Sequence, residues 1–231
     1  MLALGNKIKQ NMDLNQILLG ISISTLPLLL ALTVPEIARG RVAMALGDKT
    51  PSPRGPLSLN PLKYVHPIGT LLLPVLTVVI QSPLVFGWAR PVAVDPRNFK
   101  NPRAGFAWLA AAGPLANLVM AFIWALLWVR LAPSGWLGSG DLAFWVAQMG
   151  KFGVTINAFL GVLTLLPIPP FAGGQILVAI LPRRAGAALA KLEPYGFWIV
   201  LGLLFLEMSN IIAILGPTVW WVRALIVRLV S

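Results

Sequence analysis

The 231-residue chain has no cysteine, one histidine and seven acidic residues. The lack of cysteine rules out disulfides and thiolate metal sites. The scarcity of His, Asp and Glu matters as well, because a catalytic zinc usually takes three protein ligands from His, Cys, Asp or Glu. Charge of either sign is short: 11% of residues carry it, against about a quarter in soluble domains. With 58% hydrophobic residues and a mean hydropathy of +0.83, apolar side chains must also face outward. That arrangement is stable only in lipid. The length allows a single domain, residues 1–231, with no room for a soluble module beside membrane helices of about 20 residues each.

What charge there is has one dominant sign. The net charge of +11 does not point to nucleic acid, because the basic residues lie between apolar segments. Such a distribution is expected where Lys and Arg gather in the cytoplasmic loops of a membrane protein. Lys7 and Lys9 precede an apolar run too long for a secretory signal, with no small-residue cleavage site after it.

The first apolar run, Ile17 to Val34, is long enough to cross a bilayer and predicts a helix continuing to about Leu46. Asp48 to Lys63 reads as loop or short strands. Pro67 to Ile80 holds 14 residues and a proline, which suits a re-entrant element better than a span. The Val-rich piece at Pro91–Val94 predicts a strand. Further helices are expected over Ala104–Val129, Trp145–Leu166, a short stretch ending at Leu181, Tyr195–Met208 and Ile211–Val222. With Pro67–Ile80 re-entrant, 14 of the 18 basic residues share one side, Arg223 and Arg228 among them. Positive-inside logic makes that side cytoplasmic. The expected fold is therefore all-α and polytopic, with about five transmembrane helices, a re-entrant segment and short strands or loops. Trp136, Trp145 and Trp88 fit an aromatic belt. Trp124 and Trp128, one turn apart, form a ridge for lipid, core or a partner helix.

Three ordered motifs resemble the site-2 protease family of intramembrane zinc metalloproteases, in its short bacterial form. Val34-Pro35-Glu36-Ile37-Ala38-Arg39-Gly40 and the following Leu46-Gly47-Asp48-Lys49-Thr50 stand where that family has H-E-x-x-H-G and a Leu-Gly-Asp-x-Thr turn. Leu59-Asn60-Pro61 leads through Phe86-Gly87-Trp88 and Asn98-Phe99-Lys100-Asn101-Pro102 to Gly113-Pro114-Leu115-Ala116-Asn117. Leu165-Leu166-Pro167-Ile168-Pro169-Pro170-Phe171-Ala172-Gly173-Gly174 stands where the family ends in Leu-Asp-Gly-Gly. The resemblance covers roughly residues 14–181 as a site-2-protease-like core, leaving residues 182–231 as two C-terminal transmembrane helices.

The departures from the pattern bear on function. In the family, two His one helical turn apart and a later Asp bind zinc, and the Glu after the first His serves as general base. Here those ligand positions are Pro35, Arg39 and Ala172; Glu36 alone is kept, and Thr164 replaces the usual Asn. These four residues, Pro35, Glu36, Arg39 and Ala172, mark a vestigial active-site region. At i and i+3, Glu36 and Arg39 can form an ion pair. Asn117, Asn157, Gly173 and Gly174 could shape a groove for a partner, although each also has a packing role.

From this the expectation is a non-catalytic pseudoprotease, without zinc or other cofactor, acting as adaptor or chaperone for other membrane proteins. Its alternatives are a permanent accessory subunit of a larger membrane complex, or an active metalloendopeptidase with a rearranged site. Expected partners are membrane lipids and integral membrane proteins, not nucleic acid. The expected location is the bacterial cytoplasmic membrane.

Overall fold

The computed structural model describes residues 14–50, 57–79, 87–131, 142–196, 198, 202 and 212–231. Helix α1 (Leu14–Ala45) is 32 residues long and contains Pro27 and Pro35. Each proline removes a backbone N–H and crowds the carbonyl four residues back, yet the helix runs through both. Pro35 therefore does not end the span. Hydroxyls along α1 are satisfied by its own backbone: Thr25 Oγ1 donates to Ile21 O at 2.6 Å and Thr33 Oγ1 to Leu29 O at 2.7 Å. Such internal pairing is what a helix needs where water is absent.

Gly47 ends the helix with φ of +105°, a conformation that L side chains rarely adopt. The chain then passes a 3₁₀ turn (Pro61–Tyr64) and a π-helical turn (Pro67–Leu72) that continues as α2 (Leu73–Val79). Pro61 and Pro67 open their turns, where the missing N–H costs nothing. His66 Nδ1 caps the second turn by accepting from Gly69 N at 3.1 Å. The returning chain lies beside its own start. Trp88 N donates to Gly69 O at 3.1 Å, Arg90 N to Tyr64 O at 2.8 Å, and Thr70 Oγ1 to Trp88 O at 2.8 Å. The two ends of this excursion thus sit at one level, as in a hairpin.

The strand expected at Pro91–Val94 is not observed: among the described residues no strand forms. The Val-rich composition there suggests a strand, but the Val92 N–H donates to a side chain instead. A 3₁₀ turn (Pro96–Asn98) then leads into α3 (Pro102–Leu131), which packs most extensively on α4 (Leu142–Thr164). Glycines permit the close approach. A side chain at Gly153 would enter the Trp124 indole, and one at Gly150 would meet Trp128 Cβ at 2.9 Å. The Trp124–Trp128 ridge therefore packs on α4, with Trp124 buried.

Helix α5 (Ala172–Ile180) runs from the middle of α3 toward its start, where Arg103 Nε donates to Ala179 O at 2.6 Å. Helix α6 (Arg183–Ala190) and a 3₁₀ turn (Glu193–Tyr195) follow. Most of the Tyr195–Met208 helix expected from sequence lies outside the described residues. Helix α7 (Ile212–Val230) packs on α3 and α4, burying Ile226 and Val230 in a cluster with Ala121, Trp124, Ala125 and Val154. Its end at Val230 lies two turns beyond the expected Val222.

One placement is corrected by this packing. Charge counting puts Arg223 with the basic loops, but its guanidinium stacks on Trp128. At 1.5 Å per residue, Trp128 lies about 37 Å along α3 from Arg103. Arg223 therefore belongs to the opposite end of the helix bundle.

Helices α1 (from Leu18), α3 and α4 are each long and apolar enough to cross a bilayer. The chain is an all-α membrane protein.

Candidate functional site

Between α1, α3 and α5 lies a cavity of about 210 Å³, lined by Pro35, Glu36 and Arg39 of α1, Gly113 and Asn117 of α3, and Ala172 and Gln175 of α5, among others. Its α3 wall, Ala110 to Asn117, lies about 12–22 Å along the helix from its start. That is bilayer depth, given a hydrocarbon core of about 30 Å.

Glu36 is the one acidic side chain among the described residues of this lining. Oε1 accepts from Arg39 Nη1 at 3.2 Å, and Oε2 accepts from the backbone N–H of Val92 at 3.0 Å. Its side chain is 16% exposed and that of Arg39 33%. An ionised side chain at membrane depth is costly unless paired, and here the guanidinium and the peptide N–H both face the carboxylate. Helical spacing accounts for Arg39. The Val92 donor lies 56 residues away and leaves no mark in residue type.

The turn below α1 brings Val92 into place. Asp48 is buried and accepts from Thr50 N at 2.9 Å, Thr50 Oγ1, Asn98 Nδ2 at 2.9 Å and Asp95 N at 2.9 Å. Burial pushes the Asp48 carboxyl up, but the bonds from Asn98, Thr50 and Asp95 outweigh it and hold the group at about 2. Asp48 thus clips the Asp95–Asn98 turn to the end of α1. Beside it, Asp95 is held below its usual range by Arg97, whose Nη2 lies 2.9 Å from Asp95 Oδ2.

The residues expected to form a partner groove separate. Asn117 lines the cavity, is 3% exposed, and its Oδ1 has no hydrogen-bond partner among the described residues. Asn157 is buried elsewhere within the bundle, donating Nδ2 to Gly153 O at 2.9 Å, with its own Oδ1 unpartnered. Gly173 and Gly174 are buried against the backbone of Leu165–Pro169, where any Cβ would collide with Leu165 O or Pro169 N. They close the wall behind Ala172, and a methyl group there would force it apart. The cavity also takes in Thr164, whose hydroxyl is spent on Leu160 O at 2.6 Å, and Gln175, which no motif singles out.

A zinc ion does not fit this donor set. The Pro35 and Ala172 side chains carry no ligating atom, a guanidinium does not ligate, and Glu36 is left as a lone carboxylate. Among the described residues, no three His, Cys, Asp or Glu side chains come together. Of the remaining acids, Asp48 and Asp95 are committed to the turn and Glu193 sits in the 3₁₀ turn after α6. Asp13, Asp141 and Glu207 lie outside the described residues.

Apolar helices thus surround a cavity that holds a single carboxylate among its described residues. Comparison with known proteins makes this specific. The chain is 33% identical over 183 residues to a Bacillus subtilis protein named "putative zinc metalloprotease YwhC", covering 79% of this chain and 80% of that one. It is 33% identical over 184 residues to the similarly named Rip2 of Mycolicibacterium smegmatis, covering 79% of this chain and 66% of the relative. A shorter match, 41% over 69 residues, reaches MJ0611 of Methanocaldococcus jannaschii, also named as a zinc metalloprotease, and covers 30% of this chain and 31% of that one. No family model matches, and no solved structure matches. The chain belongs to the site-2 protease family.

These relatives correct the functional expectations. The missing ligands favour a pseudoprotease serving as adaptor, with an accessory subunit as alternative, no enzymatic activity and no zinc. Relatives covering most of the chain are named for zinc-dependent proteolysis, and the catalytic alternative is the reading they favour. The adaptor reading takes the loss of three ligands as the loss of activity itself, and that step is the one overturned. The relatives' names imply zinc, whereas the donors around Glu36 in this chain do not make a zinc site.

Proposed function

We propose that the chain is an intramembrane endopeptidase of the site-2 class with a rearranged centre, acting on polypeptide segments that enter the bilayer. The observation that supports it is the position of Glu36 on a cavity at membrane depth. An ionised carboxylate offers roughly four acceptor sites. Arg39 and Val92 take two, leaving lone pairs on a cavity of about 210 Å³, against the roughly 30 Å³ a water occupies in the liquid. In this reading Glu36 accepts the proton of an attacking water, and the Arg39 guanidinium and Val92 N–H hold the carboxylate in orientation. Asn117, on the same cavity, has a buried Oδ1 without a hydrogen-bond partner among the described residues.

The surrounding topology belongs to the same proposal. The Pro67–Ile80 segment re-enters the bilayer instead of crossing it, about five helices span, and the basic segments around Arg41 and Arg90–Arg103 face the cytoplasm of a bacterial cell. The start of α3 and the end of α5 then lie at the cytoplasmic interface.

The test is cleavage of a panel of single-span membrane proteins by the purified chain in vesicles, read by mass spectrometry. Wild type should yield fragments, and Glu36→Gln none. Fragments that persist in Glu36→Gln, or no fragments where the Bacillus relative cleaves the same panel, would overturn the proposal. Metal analysis of the same sample addresses the disagreement over zinc. Near-equimolar zinc would require ligands from outside the described donors or from a second chain.

A further inference from the structure

The chain carries a second buried polar feature, at the other end of the bundle and independent of Glu36. The Arg223 guanidinium carbon lies 4.6 Å from the centroid of the Trp220 ring and 5.2 Å from that of Trp128. Its Nε is buried without a hydrogen-bond partner among the described residues. A guanidinium has five N–H donors in a planar fork and is always charged. Stacking on indole faces stabilises the charge and fixes the plane, but spends none of those donors.

Depth identifies what meets the fork. Helix α3 has 30 residues and so is about 45 Å long, enough to extend through both headgroup layers of a bilayer about 40–45 Å thick. Trp128 lies in the last turn of α3, which places Arg223 in the headgroup layer opposite the Arg103 end. The surroundings are apolar and open: Trp220 is 64% exposed and Trp221 66%. Indoles of this kind collect at the membrane interface.

We propose that Arg223, held by Trp128 and Trp220, binds the phosphate of an anionic phospholipid. The fork geometry of guanidinium suits two phosphate oxygens at once, and the exposed indoles pack against glycerol and upper acyl chain. A free phosphate would satisfy the donors equally well but would leave those indoles uncovered.

The experiment uses the full chain in mild detergent, with dioleoylphosphatidylglycerol as probe and bound lipid counted by native mass spectrometry. Dioleoylglycerol, which lacks the phosphate, and inorganic phosphate serve as comparison arms. Wild type should hold phosphatidylglycerol about tenfold more tightly than dioleoylglycerol, the scale of one charge-assisted hydrogen bond. Arg223→Leu should remove that preference. Should Arg223→Leu fail to fold, Trp220→Leu keeps the test, since this exposed indole can be removed without opening the core, and it should weaken retention several-fold. Equal retention by wild type and the variant that folds would overturn the proposal, as would equal binding of both lipids. Displacement of the lipid by millimolar inorganic phosphate would also overturn it, assigning the site to the free anion.

Discussion

Two carboxylates near the end of α1, Glu36 and Asp48, share a neighbourhood and differ in how much of their bonding is used. Asp48 is buried with four donors on it. Glu36 has two donors and a cavity. A carboxylate bonded to saturation is a structural device, because a proton moved onto it must displace a bond that it already holds. One bonded only enough to fix its orientation keeps lone pairs for a guest. The contrast is reinforced by the chain between them: Asp48 secures the turn from which the Val92 N–H reaches Glu36. The saturated group positions the unsaturated one.

The largest test of this difference is Asp48→Ala, which strands four donors and should cost about 3 kcal/mol or more, read as a lowered melting temperature in detergent. Glu36→Ala should cost far less stability while removing any cleavage. If the two cost the same, the distinction between them fails. Acid sharpens the comparison. A folded-state pKa of about 2 for Asp48, below the unfolded value of about 3.9, stabilises above roughly pH 4 and fades as pH falls toward 2. The gain at neutral pH is at most about 2–3 kcal/mol. Melting of the wild type should decline through that window, and Asp48→Asn should flatten much of the decline.

Next in size is Gly173→Ala, whose methyl would press on Leu165 O and Leu166 O; overpacking of this kind costs about 1–3 kcal/mol. Arg39→Leu leaves Glu36 without its cation and should cost about 1–2 kcal/mol. Adding Glu36→Gln to it should restore part of the loss, and an unchanged melting curve for Arg39→Leu alone would show that the pair stabilises nothing. The smallest effect is expected from Arg97→Ala. That guanidinium is 89% exposed, and melting should not move measurably.

How much of this could be read from the residues depends on the range of each interaction. Long apolar runs announce α1, α3 and α4, because bilayer thickness fixes the length such a run must have. Glu36 and Arg39 stand out through helical spacing. The Asp48 clip does not, since its partners Asp95 and Asn98 lie 47 and 50 residues away and two of its donors are backbone N–H groups. The same holds for Val92, whose Val-rich surroundings suggest a strand although its N–H bonds a side chain. Treating Arg223 as a loop charge places it on the wrong side, although it sits inside a helix and stacks on the distant Trp128 indole. The functional error has another source: ligand positions can be read from a motif, but their absence does not measure activity.

Helix α5 is fastened at both ends, its first turn seated against the Leu165–Pro169 backbone and its last turn held through Ala179 O by Arg103. A wall fixed in this way is a jamb and not a door. On the facing side the incoming chain is clipped to the end of α1 by Asp48, and higher up the Val92 N–H bonds Glu36. Of those ties, the Val92 bond alone ends on Glu36, so whatever loosens this stretch of chain also frees an oxygen of the carboxylate on the cavity.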